Sequence, residues 1–197
     1  MPRRDLQFVQ GAYYHMYNRG AGRQTIFRTD EDYRHALFLM KAVSKRCNIA
    51  WIAYTLLPNH YHWLVRQDGP APANLLPKLV FGSYTRTFNN RYGRRGTLFE
   101  DRFDAKVVDS DDYLHQLCYY IHGNPVRHGI AITPELWPYS NYPDWIGTRH
   151  GTLVEHSFIR EHFGDRQQYQ ARVLAYLTGN VTVAPGLRTY LEALAQA

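Results

Sequence analysis

Apolar positions run almost unbroken from Ile49 to Leu57, stop at Pro58-Asn59, and resume from His60 to Val65. That pattern predicts a strand, a tight turn and an antiparallel partner strand from His60 to Arg66. Upstream, Ala36, Leu37, Met40 and Val43 recur at helical spacing, so a helix is expected from Glu31 to about Arg46, capped by Thr29 or Asp30. Downstream, Leu76, Leu79, Val80, Tyr84 and Phe88 form one stripe of a second helix, from about Ala73 to Tyr92. The aromatic-rich stretch Gly11 to Asn18 and the stretch Thr97 to Val108 both read as extended. The order strand, helix, strand, strand, helix, strand predicts an α+β chain, a ferredoxin-like antiparallel sheet with helices packed on it. In such a sheet the strand carrying His60 is central.

A further helix through Tyr113, Leu114, Leu117, Tyr120 and Ile121 is expected after the capping run Asp109-Ser110-Asp111-Asp112. It should stop at Gly123-Asn124-Pro125, because proline lacks the donor a helix needs. Past Trp137-Pro138-Tyr139-Ser140 the chain reads as loop, and from about Glu155 to Ala197 as short helices folded against the body. These readings divide the chain into a domain over residues 1–150 and a C-terminal helical extension over residues 151–197.

Composition adds a partner class. With 45% hydrophobic and 20% charged residues the chain is globular, and no apolar run approaches membrane-spanning length. No apolar signal core follows Met1-Pro2-Arg3-Arg4-Asp5, so a cytoplasmic protein is expected. Cys47 and Cys118 lie far apart and make neither a CxxC pair nor a disulfide framework; they read as small buried hydrophobes. The net charge of +6 rests mainly on arginine and accompanies 16 tyrosines, a balance suited to holding phosphates and stacking bases. Arg19 and Arg23 flank a glycine-containing loop that lacks the spacing of a P-loop or a dinucleotide fingerprint. Arg86, Arg91, Arg94 and Arg95 gather near the end of the second helix with Tyr84, Phe88 and Tyr92 as candidate stacking surfaces, and Arg102 follows. All seven arginines are candidate contacts to a nucleic-acid backbone.

The candidate chemistry starts at His60 and His62. Side chains two apart on a strand share a face, so both imidazoles can grip one metal ion; the pair alone is equally compatible with strand histidines packed on a helix. Tyr120 and Asn124 are four apart and share a helix face, from which a phenol and an amide oxygen can reach such an ion. A divalent ion that clamps phosphodiester oxygens and a tyrosine that attacks phosphorus make a phosphoryl-transfer site. No ATP-binding motif is present, and none is needed where the phosphotyrosine bond preserves the energy of the bond it replaces. Tyr119 sits about 100° round the helix from Tyr120, so both cannot face one ion. Tyr113 shares the Tyr120 face but lies two turns away, and Tyr119, His115 and His122 read as packing or structural residues.

His60-Tyr61-His62 within LLPNHYHWLV, and Tyr120-Ile121-His122-Gly123-Asn124-Pro125-Val126-Arg127, resemble the two signatures of REP-associated tyrosine transposases, which belong to the single-tyrosine HUH transposase family. Tyr17-Asn18-Arg19-Gly20, Ile26-Phe27-Arg28 and Phe88-Asn89-Asn90-Arg91-Tyr92 are further pieces similar to that family, in the same order, and the likeness spans roughly residues 11–146. The resemblance implies a ferredoxin-like fold, cleavage and rejoining of single-stranded DNA with Mg²⁺ or Mn²⁺, a 5′-phosphotyrosine intermediate, and recognition of hairpins from repeated extragenic palindromes. By position, His60 and His62 match the metal pair, Asn124 the third ligand and Tyr120 the nucleophile. The chain departs from the family pattern at Gly123, where a larger apolar residue is usual, at His128, where a small one is, and at Glu100-Asp101-Arg102-Phe103. Gly123 is expected to loosen the last helical turn that aims Tyr120.

Two other functions fit the same residues: a nucleic-acid-binding regulator that has lost turnover, and a metal-dependent hydrolase with water as nucleophile. No H-E-x-x-H or carboxylate pair accompanies the histidines, which weakens the second. The added tail favours a monomer over a dimer that exchanges its tyrosine helix.

Overall fold

The structure, a computed structural model, describes residues 6–181, 183 and 185–196. Its strands are β1 (Tyr13–Arg19), β2 (Ile49–Leu57), β3 (His60–Gln67) and β4 (Asp104–Val108). Its helices are α1 (Asp30–Cys47), α2 (Leu75–Arg91), α3 (Asp111–Arg127), α4 (Tyr142–Trp145), α5 (His156–Phe163), α6 (Arg166–Leu177) and α7 (Pro185–Gln196). The strands form one antiparallel sheet in the order β2-β3-β1-β4, the ferredoxin-like arrangement expected, with β3 and β1 in the middle.

Alternation along the strands assigns each side chain to one of two layers. Tyr61, Trp63 and Val65 of β3, with Tyr14 and Met16 of β1, face α1 and α2 and join Ala36, Met40, Leu76, Val80, Tyr84 and Phe88 in one core. His60, His62 and Leu64 project to the opposite side, which α3 covers with Leu117, Cys118, Tyr120 and Ile121. A bulge in β2 between Trp51 and Ala53 lets Ile52 and Ala53 both join the α3 core. The Ile52 carbonyl accepts from Asn141 Nδ2 (2.8 Å) and Trp145 Nε1 (3.1 Å). Helices α5, α6 and α7 extend the same core with Phe158, Phe163, Tyr169, Val173 and Leu191.

Thr29 is the residue that caps α1, its amide donating to Asp32 Oδ2 (3.2 Å). The Pro58-Asn59 turn is anchored through the Pro58 carbonyl, which accepts from the amides of Ile26 (2.7 Å) and Phe27 (3.0 Å). Two expectations fail locally. The stretch 97–108 is strand only from Asp104; before it, an isolated bridge joins Phe99 to Gly20, and the Glu100 amide donates to the Arg19 carbonyl at the end of β1 (3.1 Å). Helix α3 does not stop at Pro125 but runs through it to Arg127. Proline there deletes one donor in the last turn, while its own carbonyl accepts from the amides of Ile130 (2.8 Å) and Ala131 (3.2 Å). Cys47 and Cys118 are free and buried, as small hydrophobes are.

Candidate active site

The site forms where the start of β3 meets the C-terminal half of α3. In the sheet His62 sits between Tyr17 of β1 and Thr55 of β2, and His60 sits between Arg19 and Leu57. Across the layer, the Tyr120 ring stands edge-on to His62 with centroids 5.3 Å apart, and the His60 and His62 rings are also 5.3 Å apart. Asn124 follows one turn after Tyr120 on the same face, and both residues are 0% exposed.

Buried polar atoms are normally paired. Here a group of them is not: His62 Nε2, the Tyr120 hydroxyl, both amide atoms of Asn124 and the Thr55 hydroxyl are buried without a hydrogen-bond partner. The other ring nitrogens are held. His60 Nδ1 lies 2.7 Å from Asn59 Oδ1, an acceptor, so Nδ1 carries the proton and Nε2 keeps its lone pair. His62 Nδ1 lies 3.1 Å from His15 Nε2, and His15 Nδ1 lies 2.8 Å from the Tyr190 hydroxyl of α7. When His15 donates to Tyr190 and accepts from His62, the free Nε2 of His62 is likewise a lone pair.

Electrostatics keep these imidazoles neutral. Burial pushes His60 down to about 3, assisted by His128 and Arg19. Burial pushes His15 down to about 3, assisted by Lys106. His62 falls well below the usual imidazole range through burial and its neighbours His60, His15 and His128. The Tyr120 phenol is pushed well up by burial; the neighbouring Asn124 amide, near it but not in hydrogen-bond geometry, and the Arg127 guanidinium pull it partly back. Among the described residues, no three His, Cys, Asp or Glu side chains are grouped to hold a metal. The available donor set is two neutral imidazoles and one amide oxygen. Unpaired lone pairs of that kind fit a divalent cation.

In front of the histidines lies a cavity of about 350 Å³. Arg19, Arg23 and Arg102 line it, opposite Glu100, Asp101 and Asp104, and Arg19 is ion-paired to Glu100. The other four candidate arginines stand elsewhere, at the end of α2 in the opposite layer. Arg91 binds Asp32 (2.6 Å) and Glu31, fastening α2 to α1, and Arg94 lies 5.7 Å over the Phe88 ring. Tyr84 and Phe88 are each 1% exposed, so neither offers a stacking surface; Tyr92 donates to Asp32 Oδ2 (2.8 Å). The core claimed these rings because they lie on the inward stripe of α2.

The remaining aromatic and histidine candidates are structural. Tyr119 packs against Phe163, Tyr169 and Tyr176. His122 Nε2 lies 2.9 Å from Asn141 Oδ1, which only accepts, so its Nδ1 accepts from the Tyr169 hydroxyl (2.6 Å). Gly123 does not loosen α3; it admits α6, since a Cβ there would meet Leu177 Cδ2 at 3.0 Å. His128 packs against His60, ring centroids 4.9 Å apart. Sequence reasoning missed His15, Thr55, Tyr190 and the pair Arg127–Tyr176 as neighbours of the site. Strand parity could have found the first two, because His15 and Thr55 fall on the His62 side of their strands. Nothing local could have found the tyrosines, which come from distant helices.

The family model for IS200-like transposases matches residues 8–124. Among solved structures, the chain is similar to a REP-associated tyrosine transposase bound to a REP hairpin, with 18% identity and a TM-score of 0.60 over 79% of this chain and 94% of that one. It is also similar to a putative transposase from Deinococcus radiodurans, with 15% identity and a TM-score of 0.42 over 62% of this chain and 95% of that one. No curated protein matches significantly.

Proposed function

Because the chain belongs to the IS200-like transposase family, we propose that it cleaves and rejoins single-stranded DNA through a 5′-phosphotyrosine on Tyr120. The observation that carries this reading is the convergence, at one place, of three unpartnered buried groups: the Tyr120 hydroxyl, the Asn124 amide and His62 Nε2. In it, His60, His62 and Asn124 hold a divalent ion, Mg²⁺ or Mn²⁺, with two imidazoles favouring Mn²⁺. When bound, the ion draws charge from the non-bridging oxygens of the scissile phosphate.

The Tyr120 oxygen forms a bond to phosphorus, the bond to the 3′ oxygen breaks, and the proton given up by the phenol balances the one gained by the departing 3′-hydroxyl. A free 3′-hydroxyl reverses the step, which is rejoining. Arg19, Arg23 and Arg102 at the cavity, with the more distant Arg86, Arg94 and Arg95, are proposed to hold the strand; Arg91 is already committed to Asp32 and Glu31. A hairpin substrate is supported by the solved relative, which binds a REP hairpin. The contact of Tyr120 with His62 of the same chain supports a site completed within a monomer.

The test is a covalent adduct between the protein and a single-stranded hairpin oligonucleotide, formed with Mn²⁺ and trapped in denaturing gels. Wild type should form it and Tyr120→Phe should not. An adduct on Tyr120→Phe would move the nucleophile elsewhere. One observation favours a second reading, a binder without turnover: Tyr120 is wholly buried. Salt-sensitive DNA binding with no adduct under any divalent ion would select it.

A further inference from the structure

Helix α3 ends in an arginine that the site described above does not use. Arg127 follows Tyr120 by seven residues, two turns on along the same face. Helical side chains lean toward the N-terminus, and Arg127 does so, bringing its Cζ to 5.5 Å over the Tyr120 ring. Nη1 donates to the Tyr176 hydroxyl of α6 at 2.7 Å, and the guanidinium also lies 5.8 Å over the Tyr176 ring. Tyr176 is neutral, and among the described residues no carboxylate pairs with Arg127. The residue itself is exposed. An arginine with an uncompensated charge, fixed by one hydrogen bond and poised at the rim over the candidate nucleophile, is a phosphate receptor in chemical terms.

We propose that Arg127 is a further catalytic residue, the guanidinium that grips the non-bridging oxygens of the scissile phosphate as Tyr120 attacks, with Tyr176 as the positioning residue that holds it. This rests on the strand-transfer reading above and adds to it. A phosphodiester carries one negative charge at rest and two in the five-coordinate transition state. After the 3′ oxygen leaves, the charge on the tyrosyl phosphodiester is one again. A fixed cation that meets the extra charge stabilises the transition state more than the bound strand. Arg127 therefore acts on the rate of adduct formation rather than on the affinity for DNA. The neighbouring glycine fits this arrangement. With no side chain at Gly123, α6 packs close enough to deliver Tyr176, whose Cδ1 would lie 3.7 Å from a Cβ at that position.

A purely structural Arg127, pinning α3 to α6, predicts something different, and a neutral substrate separates the two. The probe is a single-stranded hairpin oligonucleotide cleaved by the wild type, selected from a pool with randomised flanks, and the same strand carrying a methylphosphonate at the scissile position. On the natural strand Arg127→Ala should slow adduct formation about 100-fold and leave the dissociation constant for the DNA essentially unchanged. Arg127→Lys should fall between, and Tyr176→Phe should slow it by about the worth of one neutral hydrogen bond, roughly fivefold. On the methylphosphonate strand, where there is less charge to meet, Arg127→Ala should react at least as fast as the wild type. A natural-strand rate within about threefold of wild type, or no relief on the neutral strand, overturns the proposal. Should Arg127→Ala fold poorly, Arg127→Lys carries the same comparison between strands. A wild type that forms no Tyr120 adduct overturns the strand-transfer reading instead, a result distinct from an active wild type with an indifferent Arg127.

Discussion

The two faces of the sheet bury polar groups in different ways. On the α1/α2 face, Asp32 is buried but fully engaged, accepting from the amides of Arg28 (2.9 Å) and Thr29 (3.2 Å), from Arg91 and from Tyr92. The unpaired polar atoms there include the indole N–H groups of Trp51 and Trp63, whose rings meet edge to face at 5.1 Å, a contact that suits such a donor. On the α3 face the unpaired atoms include, besides Tyr113 and Gln116 further up the helix, an imidazole nitrogen, an amide, a phenol and a threonine hydroxyl around His62. Leaving each unpaired costs about 1–3 kcal/mol. Both faces thus leave buried polar atoms unpaired, but on the α3 face they gather around His62 and Tyr120, whose rings are in contact.

Two substitutions break the comparison most sharply. Tyr120→Phe removes the proposed nucleophile and should lower adduct formation by about 10⁴-fold or more. It also removes an unpaired buried hydroxyl, so urea denaturation should find the variant as stable as wild type or more so. Trp63→Ala, on β3 but facing the α1/α2 core, should do the opposite. Truncating a fully buried indole should cost about 3–5 kcal/mol in urea denaturation, and lost activity should track the unfolded fraction. Equal destabilisation by both changes would show that the α3 face is ordinary core.

How much of this was legible differs between the faces as well. Element order, hairpin and sheet class follow from alternation and helical spacing, which are local signals, and the residues of the α1/α2 core were named from them. On the α3 face, His60 with His62 and Tyr120 with Asn124 were legible as two pairs, because strand and helix periods place each pair on one side. That the pairs meet is a tertiary fact, supplied by α3 crossing β3. The errors have the same origin. Tyr84 and Phe88 read both as part of the apolar stripe of α2 and, by their company of arginines, as candidate stacking surfaces; the stripe prevails. Pro125 reads as a stop, although α3 has only two residues left to run beyond it. Tyr176 and Tyr190 carry no local signal, because their partners are Arg127 and His15, 49 and 175 residues away.

Asn124→Leu sharpens the contrast at one residue. Leucine keeps the volume and removes two unpaired polar atoms from a wholly buried position, so the variant should gain roughly 1–2 kcal/mol of stability. The third proposed ligand is lost with them, and Mn²⁺-dependent adduct formation should fall by about 10- to 100-fold. Thermal shift with and without Mn²⁺ separates the effects: the metal-free variant should melt higher than wild type and gain less from added Mn²⁺. Destabilisation in the absence of metal would mean that the amide is satisfied within the protein.

The smallest effect concerns a histidine of the α3 layer away from the site. His115 Nε2 lies 3.1 Å from His162 Nδ1, and its ring packs against Phe163 of α5. Burial, then the neighbouring His162, holds its pKa below the ordinary value, outweighing Asp111 and Asp112. The folded state therefore refuses a proton that the unfolded chain accepts below about pH 6.5. Above that pH the linkage leaves stability untouched; as the pH falls from there toward the folded pKa, stability should decline. Other buried histidines add their own slopes, so the informative quantity is a difference between proteins. His115→Gln should show a shallower loss of urea stability between pH 7 and 5 than wild type. Because His115 is partly exposed, solvent screening keeps the difference small, and an unchanged slope would place the proton elsewhere in the α3 layer.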